Sequence, residues 1–395
     1  MSEASTRERR LWAAALFVFI GTEAIGFQLR GALLPSIERT FQVSPELLGL
    51  VATAGTAGFV VAVFISGLAA GRIDIERALL VSVVVVALGA FATGLAPTFG
   101  VLLAALFVRG VATGPARALD RVVLSHLFPE GRSKVFNLYG FVWAVGATAG
   151  PVVVTAALAL GNWRYAYVLV GVGFLCSAAM LVRLDLPEAV GNERSVSVAD
   201  LRRVVKKPGV AGVALAVAVN GGVEGSLFTW LPYFAAQQFP EGTANLVLSA
   251  FLVAFLPGRL LYSVLTDRAD RPLGVLLVTL GLAVPVMVAT VFLADGLALF
   301  AAVFVLGFLL SATFPTLSAV AVSAAPEYTG PVNAILNSAT YGGIAVVPPL
   351  VGVLVPIVGV TTAMAVLPVL IGVVFALTLG TWLATGASTD GSSPA

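Results

Sequence analysis

The sequence predicts an all-α membrane protein whose twelve transmembrane helices form two pseudo-symmetric six-helix halves. Three observations lead to this fold class: the composition, the length of the apolar runs and the placement of the basic residues. Of the 395 residues, 59% are hydrophobic and only 11% are charged. A soluble domain is about half apolar and about a quarter charged, so the composition excludes an ordinary water-soluble domain.

The apolar residues fall into runs of about 20, the length that a helix needs to cross about 30 Å of hydrocarbon. The first run begins at Leu11 and continues past Glu23 to Pro35 without a signal-peptide cleavage site, so we interpret it as a transmembrane helix. The twelve predicted spans are 11–34, 47–70, 78–96, 101–119 with a polar continuation toward 128, 135–160, 165–184, 210–234, 245–265, 273–294, 297–321, 332–358 and 361–384.

The longest polar segment separates the sixth predicted span from the seventh. We therefore divide the chain into an N-terminal six-helix bundle at 1–184, a cytoplasmic linker at 185–208, and a C-terminal six-helix bundle with a short tail at 209–395. Residues 200–207 carry apolar side chains on one side and basic side chains on the other. This pattern is typical of a helix that lies at the membrane interface.

The basic residues indicate the orientation, because Lys and Arg are enriched in cytoplasmic loops. With the N-terminus in the cytoplasm, 15 of the 22 Lys and Arg residues lie on the cytoplasmic side, two lie outside and five lie inside the spans. An even number of spans fits this asymmetry. We expect a multi-pass protein of the plasma membrane with both termini in the cytoplasm.

Two loops carry a recognisable motif. The segment after the eighth span keeps Asp267-Arg268 followed by Arg271, whereas the segment after the second span has Gly71 where an aspartate is expected. These loops resemble the signature of the major facilitator superfamily of secondary transporters, and the resemblance covers nearly the whole chain. It implies a cytoplasmic gate, for which the candidate residues are Gly67, Arg72, Asp74, Asp267, Arg268 and Arg271.

The fifth span contains Gly146, Gly150 and Pro151, which resemble half of the hinge motif of drug antiporters. Val153 and Val154 stand where the complete motif has glycines. The stretch 134–151, together with Glu224-Gly225 and the aromatic residues that follow it, resembles the fucose-permease-like sugar carriers. The superfamily resemblance implies alternating access, and the branch stays open between these two.

Three acidic residues lie in the predicted spans or their polar continuation, Glu23, Asp120 and Glu224. A charge in mid-bilayer costs about 2.5 to 3.5 kcal/mol on insertion scales, so such residues usually face a wet cavity or a partner. Because burial favours the protonated carboxyl group, all three are candidates for the coupling proton. The alternative is a permanent ion pair that joins two helices. Arg117 and Asp120 are spaced to pair on one helix face, which also allows an inner gate or structural cluster there.

Two arginines and six amide or aromatic residues are candidates for the substrate cavity. A guanidinium can bind a carboxylate bidentately, although Arg109 could equally pair with an intramembrane acid and Arg30 could reach the surface. Amides and aromatic rings suit hydroxyl-rich or aromatic solutes, but they also serve interhelical hydrogen bonds and interfacial belts. The eight candidates are Arg30, Arg109, Asn220, Trp230, Tyr233, Asn333, Asn337 and Tyr341.

The function expected from these features is secondary active transport of a small organic solute, coupled to protons. Efflux of lipophilic compounds by proton antiport is an alternative, and a non-transporting membrane receptor or scaffold is an alternative of another class. The chain has neither a P-loop nor a His-Glu-x-x-His or Gly-x-Ser-x-Gly motif, so we expect no enzyme activity, cofactor or metal. We expect a monomer that binds its solute, protons and lipid, and no nucleic acid.

Overall fold

Helices account for nearly all of the described structure, because a bilayer offers no water to satisfy the hydrogen-bonding groups of the backbone. The structure, a computed structural model, describes residues 6–69, 74–184, 198–205, 207–268 and 272–387. No strand occurs in these ranges. The predicted fold class, an all-α membrane protein with twelve spans, is confirmed.

Twelve helical segments of the described chain are long and apolar enough to cross a membrane, and we number them spans 1 to 12. Each predicted span overlaps one of them. Spans 2, 8 and 10 each consist of two consecutive helices. The bounds are Thr6–Ala32, Pro45–Leu48 with Leu50–Ala69, Ile75–Gly94, Phe99–Leu127, Arg132–Ala159, Arg164–Leu181, Pro208–Ala235, Glu241–Val253 with Phe255–Arg268, Pro272–Phe292, Gly296–Leu310 with Thr313–Ala324, Thr329–Met364, and Val366–Ala387.

The helix boundaries differ from the predicted ones where local geometry decides them. Span 1 ends at Ala32, and a separate helix Leu34–Phe41 follows with Pro35 in its first turn, where proline is favoured. Span 11 runs to Met364, but its helix is interrupted at Gly359. The φ angle of 78° at this position is one that glycine adopts readily and other residues adopt rarely. A helix at Val198–Val205 precedes span 7, whereas most of the predicted linker lies outside the described residues.

Glycines allow two helix pairs to pack closely at corresponding places. Span 1 packs on span 5, where a Cβ atom on Gly146 would lie 2.4 Å from the carbonyl oxygen of Gly21. Span 7 packs on span 11, where a Cβ atom on Gly343 would lie 1.8 Å from the carbonyl oxygen of Ala218. Both contacts join backbone to backbone, the kind of packing that small residues permit in membranes.

We call the side where span 1 begins and span 12 ends the terminal face, and the other side the opposite face. Contacts between spans 1–6 and spans 7–12 concentrate toward the opposite face. Tyr233 donates a hydrogen bond to Glu38 at 3.1 Å, and Arg39 forms an ion pair with Glu241. Since the backbones also meet at Gly49 and Pro349, the molecule is closed at this face.

A disulfide across the closed face is expected to stop transport. A Cβ atom on Gly49 would lie 3.3 Å from the Cβ atom of Pro349 and 2.6 Å from its Cα atom, so the two backbones must move slightly apart to reach the Cβ separation of about 3.5 to 4.5 Å found in disulfides. In a background with Cys176→Ala, oxidation of Gly49→Cys with Pro349→Cys should lower solute flux by about tenfold or more, because alternating access requires this face to open. The measurement is flux in proteoliposomes before and after reduction.

The single variants Gly49→Cys and Pro349→Cys, oxidised in the same way, are the controls for damage by either substitution. Reduction should restore the flux of the double variant. Full flux through a quantitatively cross-linked protein would contradict the proposal that this face must open.

Candidate functional site

A cavity of about 350 Å³ lies between spans 1–6 and spans 7–12. Odd-numbered spans begin at the terminal face and even-numbered spans end there. The first halves of odd spans and the second halves of even spans therefore lie near the terminal face. Most lining residues come from those halves, in spans 4, 5, 8, 10 and 11. The central cavity is therefore displaced toward the terminal face. Its charged or aromatic residues are Phe27, Arg117, Arg121, Tyr139, Trp143, Glu224, Phe228, Phe255, Arg259, Phe314 and Tyr341.

A second, much narrower pocket of about 20 Å³ contains Glu23, Arg30 and Arg109. This volume holds about one water molecule. Phe27 and Tyr341 line both the narrow pocket and the central cavity. The ring of Tyr341 packs edge-on against Phe59 with 4.6 Å between the ring centroids, so an aromatic contact between spans 2 and 11 stands beside the narrow pocket.

The two arginines of the narrow pocket are held by backbone and hydroxyl oxygens. Arg30 donates to the carbonyl oxygen of Ala52 at 3.3 Å and to the hydroxyl of Thr56 at 3.1 Å. The buried Arg109 donates to the carbonyl oxygen of Gly26 at 3.3 Å. Glu23 forms no hydrogen bond or ion pair with another described residue. Two fixed cations therefore share this pocket with one carboxyl group.

Asp120 belongs to a cluster at the terminal-face end of span 4. Its side chain is fully buried, and Arg117 lies 3.5 Å from it on the same helix. The hydroxyl of Tyr139 in span 5 donates to Asp120 and accepts from Arg117. The backbone N–H of Arg121 adds a bond of 2.5 Å to the same carboxyl group. The predicted pairing of Arg117 with Asp120 is present, and the cluster fastens span 4 to span 5.

Glu224 has a different environment. It lines the central cavity from span 7 and accepts a hydrogen bond of 2.9 Å from the buried Asn220, one turn earlier. No cation in the described chain lies within ion-pair distance of it, although the charge of Arg259 acts on it from farther away. Glu224 therefore faces the cavity with one neutral hydrogen-bond donor and one cation farther away.

Among the other predicted cavity residues, Asn337 and Tyr341 line the central cavity and Asn333 is exposed one turn before Asn337. Trp230 is fully buried and donates to the carbonyl oxygen of Pro348 at 2.8 Å. Tyr233 lies at the closed opposite face. Trp230 and Tyr233 line neither cavity in this conformation, and their role in substrate binding stays a prediction.

The gate motif is only partly visible. Asp74 caps the N-terminus of span 3 by accepting from the backbone N–H of Arg77 at 3.1 Å, and its carboxylate pairs with the Arg77 guanidinium at 3.2 Å. The side chains of Asp267 and Arg268 at the end of span 8 are not described, and Gly67 is described only as part of span 2. Arg72 and Arg271 lie outside the described residues.

Of the predicted hinge residues in span 5, Gly150 approaches span 1 as Gly146 does. A Cβ atom on Gly150 would lie 2.7 Å from the Cβ atom of Gln28. Pro151 follows it inside the helix. These residues form a packing surface against span 1, and their role as a hinge stays a prediction.

Three arginines of the central cavity were not among the predicted site residues: Arg117, Arg121 and Arg259. Arg259 is partly buried, and its Nε atom is buried without a hydrogen-bond partner. A sequence signal for them existed, because all three lie in or directly after apolar runs, where a charge is costly. Arg117 and Arg121 lay in the fourth predicted span and its polar continuation, and Arg259 lay inside the eighth predicted span.

Comparison with known proteins agrees with this architecture. Over 133 residues the chain is 27% identical to the multidrug resistance protein Stp of Mycobacterium tuberculosis, covering 33% of this chain and 25% of that one. The chain thus spans about a quarter of that relative's length. Its fold matches a bacterial homologue of the human lysosomal transporter Spinster, with a TM-score of 0.79, 16% identity and coverage of 96% and 97% of the two chains.

The fold also matches the Escherichia coli fucose:proton symporter FucP, with a TM-score of 0.64, 18% identity and coverage of 93% and 98%. Twelve spans around a central cavity define a multi-pass membrane protein. The family model of the Major Facilitator Superfamily matches residues 11–240 and 213–394. The chain belongs to this superfamily of secondary transporters, and its family and fold neighbours are transporters rather than enzymes.

Proposed function

We propose that this protein carries a small organic solute across the plasma membrane by alternating access, coupled to protons, with both termini in the cytoplasm. The cavity would then be accessible from the cytoplasmic side in this structure. The two six-helix bundles, 1–184 and 209–395, would rock around the central cavity, joined by the linker 185–208. A single chain contains the whole cavity, so we propose a monomer as the working unit.

The observation that carries the proton coupling is the environment of Glu224. Its carboxyl group lines the cavity, is half-buried and has a hydrogen bond only to an amide. A carboxyl group that lacks a close cation and is partly removed from water can bind and release a proton as its exposure changes. Asp120 is bound by three donors and Glu23 shares its pocket with two arginines, so Glu224 is the preferred proton site of the three.

The experiment is a solute-induced proton flux assay with the purified protein in liposomes that contain a trapped pH dye. The solutes are sugars, organic acids, amino acids and lipophilic cations, each added at constant external pH. A pH change inside the vesicles with one class of solute supports proton-coupled transport. Solute flux without any pH change, in vesicles shown to be proton-tight, would overturn the coupling.

Efflux of lipophilic compounds is a second candidate, favoured by the aromatic side chains around the central cavity and by the partial identity to Stp. The two functions differ in the direction of the proton movement. Antiport moves protons against the solute, so a lipophilic solute placed inside the vesicles should acidify the lumen as it leaves. A symported solute that leaves the vesicles should instead carry protons out with it and make the lumen more alkaline.

A further inference from the structure

Resting on the proposed transport function, we propose that the solute is a small amphiphilic organic anion. Its anionic group would bind to Arg259 and Arg121, and its apolar part would lie against the aromatic walls of the central cavity. The first argument is the charge of the cavity. Its lining includes the three cations Arg117, Arg121 and Arg259 and one acid, Glu224. The buried Asp120 compensates Arg117, which leaves two arginines and one acid.

The second argument is the hydrogen bonding of these arginines. Arg117 is engaged by Tyr139 and Asp120. Arg259 forms no ion pair with another described residue, and its buried Nε has no acceptor. An unsatisfied buried donor on a charged group costs free energy that an anionic acceptor would recover. The exposed Arg121 has the ring of Tyr139 5.4 Å from its guanidinium carbon and no described ion pair.

The third argument is where the two arginines come from. Arg121 belongs to span 4 and Arg259 to span 8, so they approach the cavity from opposite halves of the chain. A guanidinium binds carboxylate and phosphate oxygens in a fixed fork geometry. An anion bound to both arginines would offset the repulsion between the two cations when the halves close on this side. Solute binding would thereby favour the conformational change.

The fourth argument is the rest of the wall. Trp143, Phe228, Phe255 and Phe314 line the same cavity as the arginines. A volume of about 350 Å³ is at the small end of ligand sites, which range over about 300 to 1,000 Å³. Ser311, Asn337 and Thr340 also line the cavity, but each donates a hydrogen bond to a backbone carbonyl of its own helix. We therefore expect the walls to suit an aromatic or aliphatic acid better than a sugar.

The test compares acids with their neutral amides on the full-length protein in detergent. The probes are phenylacetate with phenylacetamide, indole-3-acetate with indole-3-acetamide, and phenyl phosphate as a second anion chemistry. Binding is measured by intrinsic tryptophan fluorescence and by the shift of the melting temperature. The acids should bind at least about tenfold more tightly than their amides, a difference of about 1.4 kcal/mol. Phenyl phosphate distinguishes phosphate from carboxylate recognition.

Arg259→Gln should weaken acid binding by about tenfold or more, the size of a lost charged hydrogen bond, and leave amide binding unchanged. Arg259→Lys should restore part of the affinity. The matched control is Arg77→Gln, which removes an exposed arginine that does not line the cavity. A melting temperature within a few degrees of the unmodified protein establishes that each variant is folded.

Equal binding of acids and amides would overturn the anion assignment, as would unchanged acid binding in folded Arg259→Gln or no response to any acid. These outcomes are separate from failure of the proposed function. A protein that couples neutral solutes to proton flux remains a proton-coupled transporter but does not carry anions. If the protein binds acids through Arg259 but shows no proton flux, the anion-site proposal stands and the proposal of proton coupling fails.

Discussion

Glu224→Gln is expected to abolish uphill transport while preserving exchange. Glutamine keeps the size of the side chain and can still accept the hydrogen bond from Asn220, but it does not titrate. For one coupled proton, a pH difference of one unit supplies about 1.4 kcal/mol, or an accumulation ratio of about ten. The variant should bring that ratio to about one. The measurement is solute accumulation in proteoliposomes under a pH gradient, beside exchange of labelled solute at equal pH.

Glu327→Gln is the matched control, because Glu327 lies between spans 10 and 11 and pairs with Lys207 at 2.5 Å outside the membrane-spanning segments. The hydrogen bond from Lys207 lowers the pKa of this exposed carboxyl group, so it stays charged at neutral pH. Accumulation should survive this change. If Glu23→Gln and not Glu224→Gln removes accumulation, the proton site lies in the narrow pocket. If both variants still accumulate solute, neither glutamate carries the proton.

Gly343→Leu is expected to disrupt the packing of span 11 against span 7. A Cβ atom there would lie 1.8 Å from the carbonyl oxygen of Ala218 and 2.7 Å from the backbone nitrogen of Gly222. The clash is with backbone atoms of span 7, so rotation of a side chain would not relieve it. Overpacking costs about 1 to 3 kcal/mol when neighbours adjust, and a larger effect is expected here. Transport per folded molecule should fall by about tenfold or more, because spans 7 and 11 both line the central cavity and would be pushed apart.

The adjacent substitution, Gly342→Leu, is the control. A Cβ atom on Gly342 meets no heavy atom within 4 Å, so the same leucine one residue earlier should be accepted with nearly normal melting temperature and flux. The measurements are the melting temperature by size-exclusion chromatography and the flux per reconstituted protein. Equal behaviour of the two variants would contradict the packing of span 7 against span 11 described here.

The spans could be predicted because each depends on a local property, a run of apolar residues of the right length. Proline and glycine marked several ends, such as Pro35 after span 1 and Gly359 in span 11. The interruption at Ala254 between the two helices of span 8 carries a comparable signal, because Pro257 lies in the first turn of the second helix, but the prediction treated this span as continuous.

The candidate site was predictable only where its partners share a helix. Arg117 and Asp120 are three residues apart, and the structure has them 3.5 Å apart. Tyr139 contacts both residues from another span, and the sequence separation between Tyr139 and Asp120 did not predict that contact. Arg259 and Glu224 were likewise separated by a span boundary, so their presence in one cavity depends on long-range packing. The charged residues within the spans can be identified from the sequence, but the tertiary structure is needed to show which of them line the same cavity.

The displacement of the central cavity toward the terminal face has an electrical consequence. Water in such a cavity conducts ions, so the transmembrane voltage falls mainly across the thinner closed part near the opposite face. The free energy of a unit charge changes by about 2.3 kcal/mol per 100 mV when the charge crosses the whole voltage drop. Glu224 lies near the middle of span 7, at the inner boundary of that closed part. A proton released there toward the opposite face would cross most of the membrane field over a short distance.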